Sequence, residues 1–271
     1  MKLKGKTKKI NCPLLEFNNI TVLKGNNKKV LDSISLKIYK GENVVILGPN
    51  GAGKSSFLKI ITREYYPIPK ENGCSFRIWG QDRWDVFDLR FLLGIVSNDL
   101  QHTCARDITG EEMVLSGFFS SIGLFKENIS LKMKKKAKEV IEFLEMAHLK
   151  DRKMNEMSSG EARRFLIGRA LVHDPKALIL DEPTNSLDLH AFYKFSNILR
   201  KIAKSATSII LVTHNISDII PEIRRVILMK NGKFCNEGPK ESILTDRNIS
   251  NLFGARIEIK RKGGYYYALR K

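Results

Sequence analysis

The residues with the plainest chemical meaning form one run, Gly48-Pro49-Asn50-Gly51-Ala52-Gly53-Lys54-Ser55, with Ser56 directly after it. The pattern GxxxxGK[ST] makes a loop whose backbone N–H groups turn inward around phosphate oxygens. Its glycines let the backbone approach closely, and a helix beginning at the loop's end adds the positive end of its dipole. Lys54 is placed to reach the β- and γ-phosphates. The Ser55 hydroxyl suits Mg²⁺, a hard cation that prefers octahedral oxygen ligands and keeps several waters. Kinases, GTPases and motors share this loop, so it points to nucleoside triphosphate chemistry without choosing among them.

Other reactive side chains lie further along. Segment 176–182 reads KALILDE, an apolar strand ending in two carboxylates. Asp181 suits a metal-side role through bound water, and Glu182, projecting the other way, suits polarising an attacking water. Met157-Ser158-Ser159-Gly160-Glu161 opens a helix expected to run to Val172. Ser186-Leu187-Asp188 follows Pro183-Thr184-Asn185, and His214 follows the apolar strand Ser208–Thr213.

These groups need a scaffold. Val44–Leu47 is a continuous apolar strand, and 55–63 reads as a helix. Residues 14–47 alternate short β-type runs with turns. From about 98 to 160 strand signals are few, and 132–149 shows helical spacing. Beyond 161 come a helix, strand 177–180, helix 191–204, strand 208–213, a helix and strand 224–229. Strands alternating with helices predict βαβ units and a parallel sheet. The end, 257–268, reads as a small β unit around Lys262-Gly263-Gly264.

Composition limits the alternatives. No apolar stretch nears the roughly 20 residues needed to span a bilayer. The basic start, MKLKGKTKKINCP, has no apolar segment after it, so a secretory signal is not expected. A cytoplasmic protein is expected, peripheral on the inner membrane face if it serves the membrane. Cys12, Cys74, Cys104 and Cys235 form no CxxC pair, which excludes the usual zinc and redox signatures and predicts reduced, mostly buried thiols. Lys and Arg number 47 against 29 Asp and Glu, giving +18 and an attraction to acidic partners. The basic residues cluster at Lys2–Lys9, at Lys132–Lys138 and at Arg256–Lys271. Solvated lysine-rich faces account for such clusters as readily as a nucleic-acid or lipid surface does.

The ordered set of phosphate loop, SxGE segment, DE strand end, SLD turn and strand-following histidine resembles the ABC ATPase family, over about residues 14–245. The resemblance implies an α/β fold: a P-loop NTPase core with a mostly parallel sheet, an N-terminal antiparallel β subdomain and a helical insertion subdomain. It divides the chain into a flexible basic tail (1–12), an ATPase domain (13–250, helical subdomain about 98–160) and a small C-terminal β appendage (251–271). It implies that Gly48–Ser56 bind ATP and that Ser158, Ser159, Gly160 and Glu161 form the signature facing ATP on another subunit. Asp181 would then serve the metal, Glu182 would be the catalytic glutamate, Ser186–Asp188 the D-loop at the dimer interface, and His214 the switch histidine. ATP and Mg²⁺ are the implied ligands. The implied partners are a second copy or a homologous ATPase subunit and a separate integral membrane permease.

Three positions depart from the family pattern. Ser159 replaces a glycine, so the backbone there must avoid a glycine-only conformation. Lys24 stands where a tyrosine usually stacks on adenine, leaving a cation–π contact of about 0.5–1 kcal/mol. Asn98 stands where a glutamine is expected to serve the metal, with Gln101 as a nearby substitute. Segment 109–125, with Phe118, Phe119 and Phe125, is similar to the region of transporter ATPases that borders the permease groove, or simply packs the helical subdomain. It also resembles a group of stand-alone ABC ATPases associated with molybdate uptake. The main expectation is an ATP-hydrolysing transporter motor dimerising head to tail around two ATP. The alternative is a non-transport ABC ATPase acting on ribosome, nucleic acid or a regulatory partner.

Overall fold

The computed structural model describes residues 12–25, 27–69, 73–97, 107–119 and 128–271. Asn98, Gln101, Cys104, Phe125 and nearly all of the N-terminal tail lie outside them.

A six-stranded sheet organises the molecule, in the order β5 (Leu93–Val96), β6 (Ala177–Asp181), β7 (Ser208–Thr213), β3 (Val44–Leu47), β8 (Arg225–Lys230) and β9 (Lys233–Pro239). All neighbours are parallel except β8 and β9. The inner strands carry continuous apolar runs, with polar residues only at their ends, because both faces are covered. Alternation then sends their side chains to two cores. Val45, Leu47, Leu178, Leu180, Ile209, Leu211, Val226 and Leu228 enter one core. Val44, Ile46, Ala177, Ile179, Ile210, Val212, Ile227 and Met229 enter the other.

The second core is closed by helix α1 (Lys54–Ile61) and an antiparallel sheet ordered β2 (Lys28–Ile38), β1 (Leu15–Lys24), β4 (Ser75–Ile78). β1 and β2 are long strands, not the short runs expected. Register shifts break their alternation, and Asn19 and Ser33 sit there at φ 51° and 56°. The first core receives α3 (Gly110–Ser116), α4 (Leu131–Phe143), α5 (Ser159–Leu171) and α6 (Leu189–Ala203); α2 (Val86–Leu92) leads into β5. Helix α4 stops short of the expected 149 because Glu145 turns to φ 59° and a 3₁₀ turn, Ala147–Leu149, follows.

At the C-terminus come α7 (Lys240–Ile243), α8 (Asp246–Phe253) and the hairpin β10 (Ile257–Lys262) with β11 (Tyr265–Arg270). Tyr266 is buried in the first core and Ile257 and Ile259 pack against it. The boundary expected at 250 therefore falls inside α8, and the hairpin shares the core of the domain it follows. The thiols are less buried than expected. Cys12 and Cys74 are half-buried, and Cys235 is exposed on the edge strand β9.

Candidate functional site

The loop 48–53 leaves β3 beside the end of β7, with Gly48 N donating to the Thr213 carbonyl at 3.2 Å. Two glycines are required by what surrounds them. A Cβ on Gly48 would lie 2.2 Å from the Met229 carbonyl oxygen. Gly53 has φ 108°, and a Cβ there would meet the Val30 carbonyl oxygen at 2.8 Å. The β8–β9 turn, Asn231-Gly232, braces the loop from below. Both residues have positive φ, as a two-residue hairpin turn requires. Gly232 N donates to the Ala52 carbonyl at 2.8 Å, and the Gly232 carbonyl accepts from Asp32 N at 2.9 Å.

Lys54 opens α1 with its side chain only 7% exposed. Its Nζ donates to the carbonyls of Gly48 (2.9 Å) and Pro49 (3.1 Å) and lies 3.2 Å from Glu182 Oε1. A buried ammonium and a buried carboxylate persist because each meets the other. Glu182 sits just past β6, its N–H donating to the Val212 carbonyl at 2.8 Å. Its φ is 48°, a left-handed conformation that costs a non-glycine residue about 1–3 kcal/mol and clusters at functional sites. That turn swings Glu182 away from Asp181 and toward His214. Glu182 Oε2 lies 2.6 Å from His214 Nδ1 and accepts from His214 N at 3.4 Å. An N–H on Nδ1 is the form that suits so close a carboxylate oxygen, although the ring is turned off the line of an aligned hydrogen bond and the atom is shielded from solvent.

These groups face a cleft of about 790 Å³, lined by Lys24, Asn50, Gly51, Gly53, Lys54, Ser55, Ser56, Asp181, Glu182, Asn185, His214 and Asn231. That size suits a small-molecule ligand. A cavity of about 670 Å³ around Asn43, Lys204, Glu222 and Arg224, where β3 and β8 begin, has no phosphate loop. Lys24 is exposed at the cleft rim, on the last residue of β1. Ser55 and Asp181 offer hydroxyl and carboxylate oxygens to the same cleft. Among the described residues, no three His, Cys, Asp or Glu cluster as a self-sufficient metal site. Such a donor set fits Mg²⁺, which takes one or two protein oxygens and completes its shell with phosphate and water.

The segment 158–161 lies outside the cleft lining. Ser158 caps α5 through a capping box: its Oγ accepts from Glu161 N (3.3 Å), and Glu161 Oε2 accepts from Ser158 N (2.8 Å). Burial works against the Glu161 charge, but the Ser158 hydrogen bonds, with Arg152 and Arg164, hold its pKa below the usual glutamate value. Ser159 is the first residue of α5 and is not at positive φ, so it needs no glycine. Gly160 faces Ala191, where a Cβ would come within 2.9 Å of the alanine Cβ. Ser186 has φ 65°, the Leu187 N–H closes on the Thr184 carbonyl (3.1 Å), and Asp188 caps α6 by accepting from Ala191 N (2.8 Å).

The structure thus brings Lys54, Glu182 and His214 together, with Ser55 and Asp181 beside them. It sets Ser158–Glu161 apart. Asn98 and Gln101, the two candidates for the metal-facing amide, lie outside the described residues. Sequence reasoning passed over Asn231 and Gly232, although an Asn-Gly pair between apolar strands is a hairpin signal. It also passed over Arg163, Thr213 and Asp218, whose roles depend on distant segments.

Residues 31–185 match the family model described as ABC transporter. A putative ABC transporter ATP-binding protein of Streptococcus mutans is 32% identical over 248 residues, covering 91% of this chain and 94% of that one. The uncharacterized ABC transporter ATP-binding protein YlmA of Bacillus subtilis is 35% identical over 248 residues, 91% of this chain and 93% of its own. Among solved structures, a dimeric ATP-binding cassette in a post-hydrolysis state with ADP and Pi superposes with TM-score 0.66. It is 26% identical and covers 83% of this chain and 98% of that chain.

Proposed function

Because this chain belongs to the ABC transporter family, as an ATP-binding subunit that hydrolyses ATP and works as a transporter motor, we propose that Lys54, Glu182 and His214 carry its chemistry. The convergence of these three side chains on the phosphate loop is the observation that supports this reading most. Lys54 neutralises the β- and γ-phosphates, exchanging its loop carbonyls for phosphate oxygens. Glu182, freed from Lys54 as the lysine turns to phosphate, orients and polarises the attacking water. His214 Nδ1 holds the carboxylate side of the site, and its ring reaches the γ-phosphate. Ser55 and Asp181 hold Mg²⁺, which neutralises phosphate charge. Lys24 covers the base.

The family's ATPase domains dimerise and pair with membrane components. For this chain we take Ser158–Glu161 of one copy to face the nucleotide of the other, with Ser186–Asp188 at the seam. ATP then favours the closed pair, and loss of the γ-phosphate removes the contacts that hold it. The ATPase unit in this reading begins at residue 13 and runs through α8, with the C-terminal hairpin packed on its core. Among the described residues no helix is long and apolar enough to cross a membrane. We take the permease to be a separate chain, with this subunit against its cytoplasmic face. A cavity of about 400 Å³ lined by Leu89, Gly94, Gly117, Arg169 and His173 is the candidate docking groove. Phe91 and Phe118 stack edge-on to His173 at its side, and Phe119, half-buried, follows Phe118 in the chain. The test is steady-state ATP hydrolysis by the purified chain. Turnover should need Mg²⁺ and should nearly vanish in Glu182→Gln, whose amide keeps the shape but polarises water poorly. Wild-type turnover in that variant would remove Glu182 from its role.

A further inference from the structure

Arg163 is a buried cation with no part in the chemistry above. It lies in the second turn of α5, directly after the signature, and is 4% exposed. Its Nη1 donates to the backbone carbonyls of Pro183, of Asn185 at 3.1 Å and, at the limit of 3.5 Å, of Glu182. One side chain of the signature helix therefore grips three carbonyls of the loop that begins with Glu182. Ser159, at the head of the same helix, donates its hydroxyl to the Ser186 carbonyl at 3.2 Å. The loop 182–186 is thus held at both ends from α5.

The opposite side of this loop is held by Asp218, which is 2% exposed. Its Oδ1 accepts from Thr184 Oγ1 at 2.6 Å and its Oδ2 from Thr213 Oγ1 at 2.5 Å. Thr213 immediately precedes His214, and its Oγ1 also accepts from Asn215 N at 3.0 Å. Asp218 is the carboxylate whose charge acts on the Arg163 guanidinium, against the burial that lowers the arginine's pKa. Burial also raises the Asp218 pKa, opposed by the two threonine hydroxyls. What the two buried charges share in the geometry is the loop itself: Arg163 holds its carbonyls and Asp218 holds its Thr184 hydroxyl, and a buried charge is costly to strip of such partners.

We propose that Arg163 and Asp218 are a pair of positioning residues that clamp the 182–186 loop, so that Glu182 is aimed only when the signature helix of the same chain is seated. The clamp gives the segment 158–161, which meets the partner's nucleotide, a physical route to the hydrolytic carboxylate of its own chain. It rests on the reading of Glu182 and of Ser158–Glu161 given above.

The experiment uses the full chain and compares Arg163→Met, Arg163→Lys, Asp218→Asn, the double variant Arg163→Met/Asp218→Asn and the milder Thr184→Val. Folding is checked by thermal unfolding, and ATP affinity is measured with a fluorescent ATP analogue. Misplacing a catalytic group from a distance costs about a hundredfold in rate, so kcat should fall by about that factor in Arg163→Met and in Asp218→Asn. Nucleotide affinity should stay within about twofold, because the phosphate loop is untouched. Arg163→Lys, which keeps the charge, should recover part of the rate. The double variant should lose no more than the worse single variant, as residues acting through one loop are not additive. Thr184→Val, missing one hydroxyl, should fall between wild type and Asp218→Asn, and it decides the matter if the larger changes do not fold. Unchanged kcat in folded variants, additive losses, or a loss of affinity equal to the loss of rate would overturn the clamp. Glu182→Gln is measured in parallel. If it turns over normally, the reading beneath the clamp fails and takes the clamp with it; if it is dead while Arg163→Met is active, only the clamp fails.

Discussion

The phosphate loop and the signature segment are built in opposite ways. The loop is complete within one chain. Its lysine is buried, its glycines are pressed against Met229 and Val30, and a hairpin turn from the far end of the sequence closes on Ala52. The signature satisfies its own helix end by a capping box, presents an exposed Ser158, and stands outside the cleft that its chemistry would complete. One region is a finished half-site and the other a free half-site. In the proposed reading, a second copy of this chain or a homologous subunit, turned head to tail, joins them. The contrast predicts that damage to the loop weakens nucleotide binding by a single chain, whereas damage to the signature spares binding and slows turnover.

The largest effect belongs to Lys54→Ala. The substitution removes the charge that faces the β- and γ-phosphates, and a hydrogen bond to a charged group is worth about 1.5–3 kcal/mol. A titration with ATP and Mg²⁺ should show that loss; unchanged affinity would break the assignment of the loop. Next comes Gly160→Val, which drives a branched side chain into Ala191. Single-chain ATP affinity should hold while turnover falls about tenfold to a hundredfold, or 1.4–2.7 kcal/mol. If affinity falls with turnover, the two regions are not separate. A smaller effect is expected of Lys24→Ala, about 0.5–1 kcal/mol in ATP affinity, the worth of an exposed cation–π contact. Because a lysine reads no base edge, ATP and GTP should differ by less than about a hundredfold, near 2.7 kcal/mol. A larger preference would show that another group selects the base.

The smallest effect concerns the +18 charge. Two of its clusters are partly paired: Lys136 lies 2.6 Å from Asp174, Lys271 3.5 Å from Asp246 and Arg261 4.0 Å from Glu241. Binding to RNA or duplex DNA should therefore be weak, lost near physiological salt through counterion uptake, and without effect on hydrolysis. Tight binding at that salt with stimulated hydrolysis would move the protein from transport to nucleic-acid work.

Much of the site was legible because it is local. The phosphate loop, the DE strand end, the helix start at 158–161 and His214 are each contiguous residues whose geometry follows from the strand or helix they bound. The central strands were legible for the same reason, since continuous apolar runs mark a sheet buried on both faces. What stayed hidden depends on chain far away. Gly232 closes on Ala52, and Arg163 grips the carbonyls after Glu182. Asp218, in a short 3₁₀ turn, has nothing in its neighbours to distinguish it from a solvated acid, yet it is buried between two threonines. The long β1 and β2 were obscured by register shifts that break their period of two.

The most direct measurement of the central claim is the mass of Glu182→Gln in solution, by light scattering during gel filtration, with and without ATP. If the signature of one chain completes the phosphate site of another, blocking hydrolysis should trap the closed pair. The variant should run at twice the monomer mass with ATP and Mg²⁺ and return to the monomer with ADP. Adding Gly160→Val to the same chain should abolish the ATP-bound dimer while leaving ATP bound. A variant that stays monomeric while saturated with ATP, or that dimerises equally with ADP, would contradict the head-to-tail account.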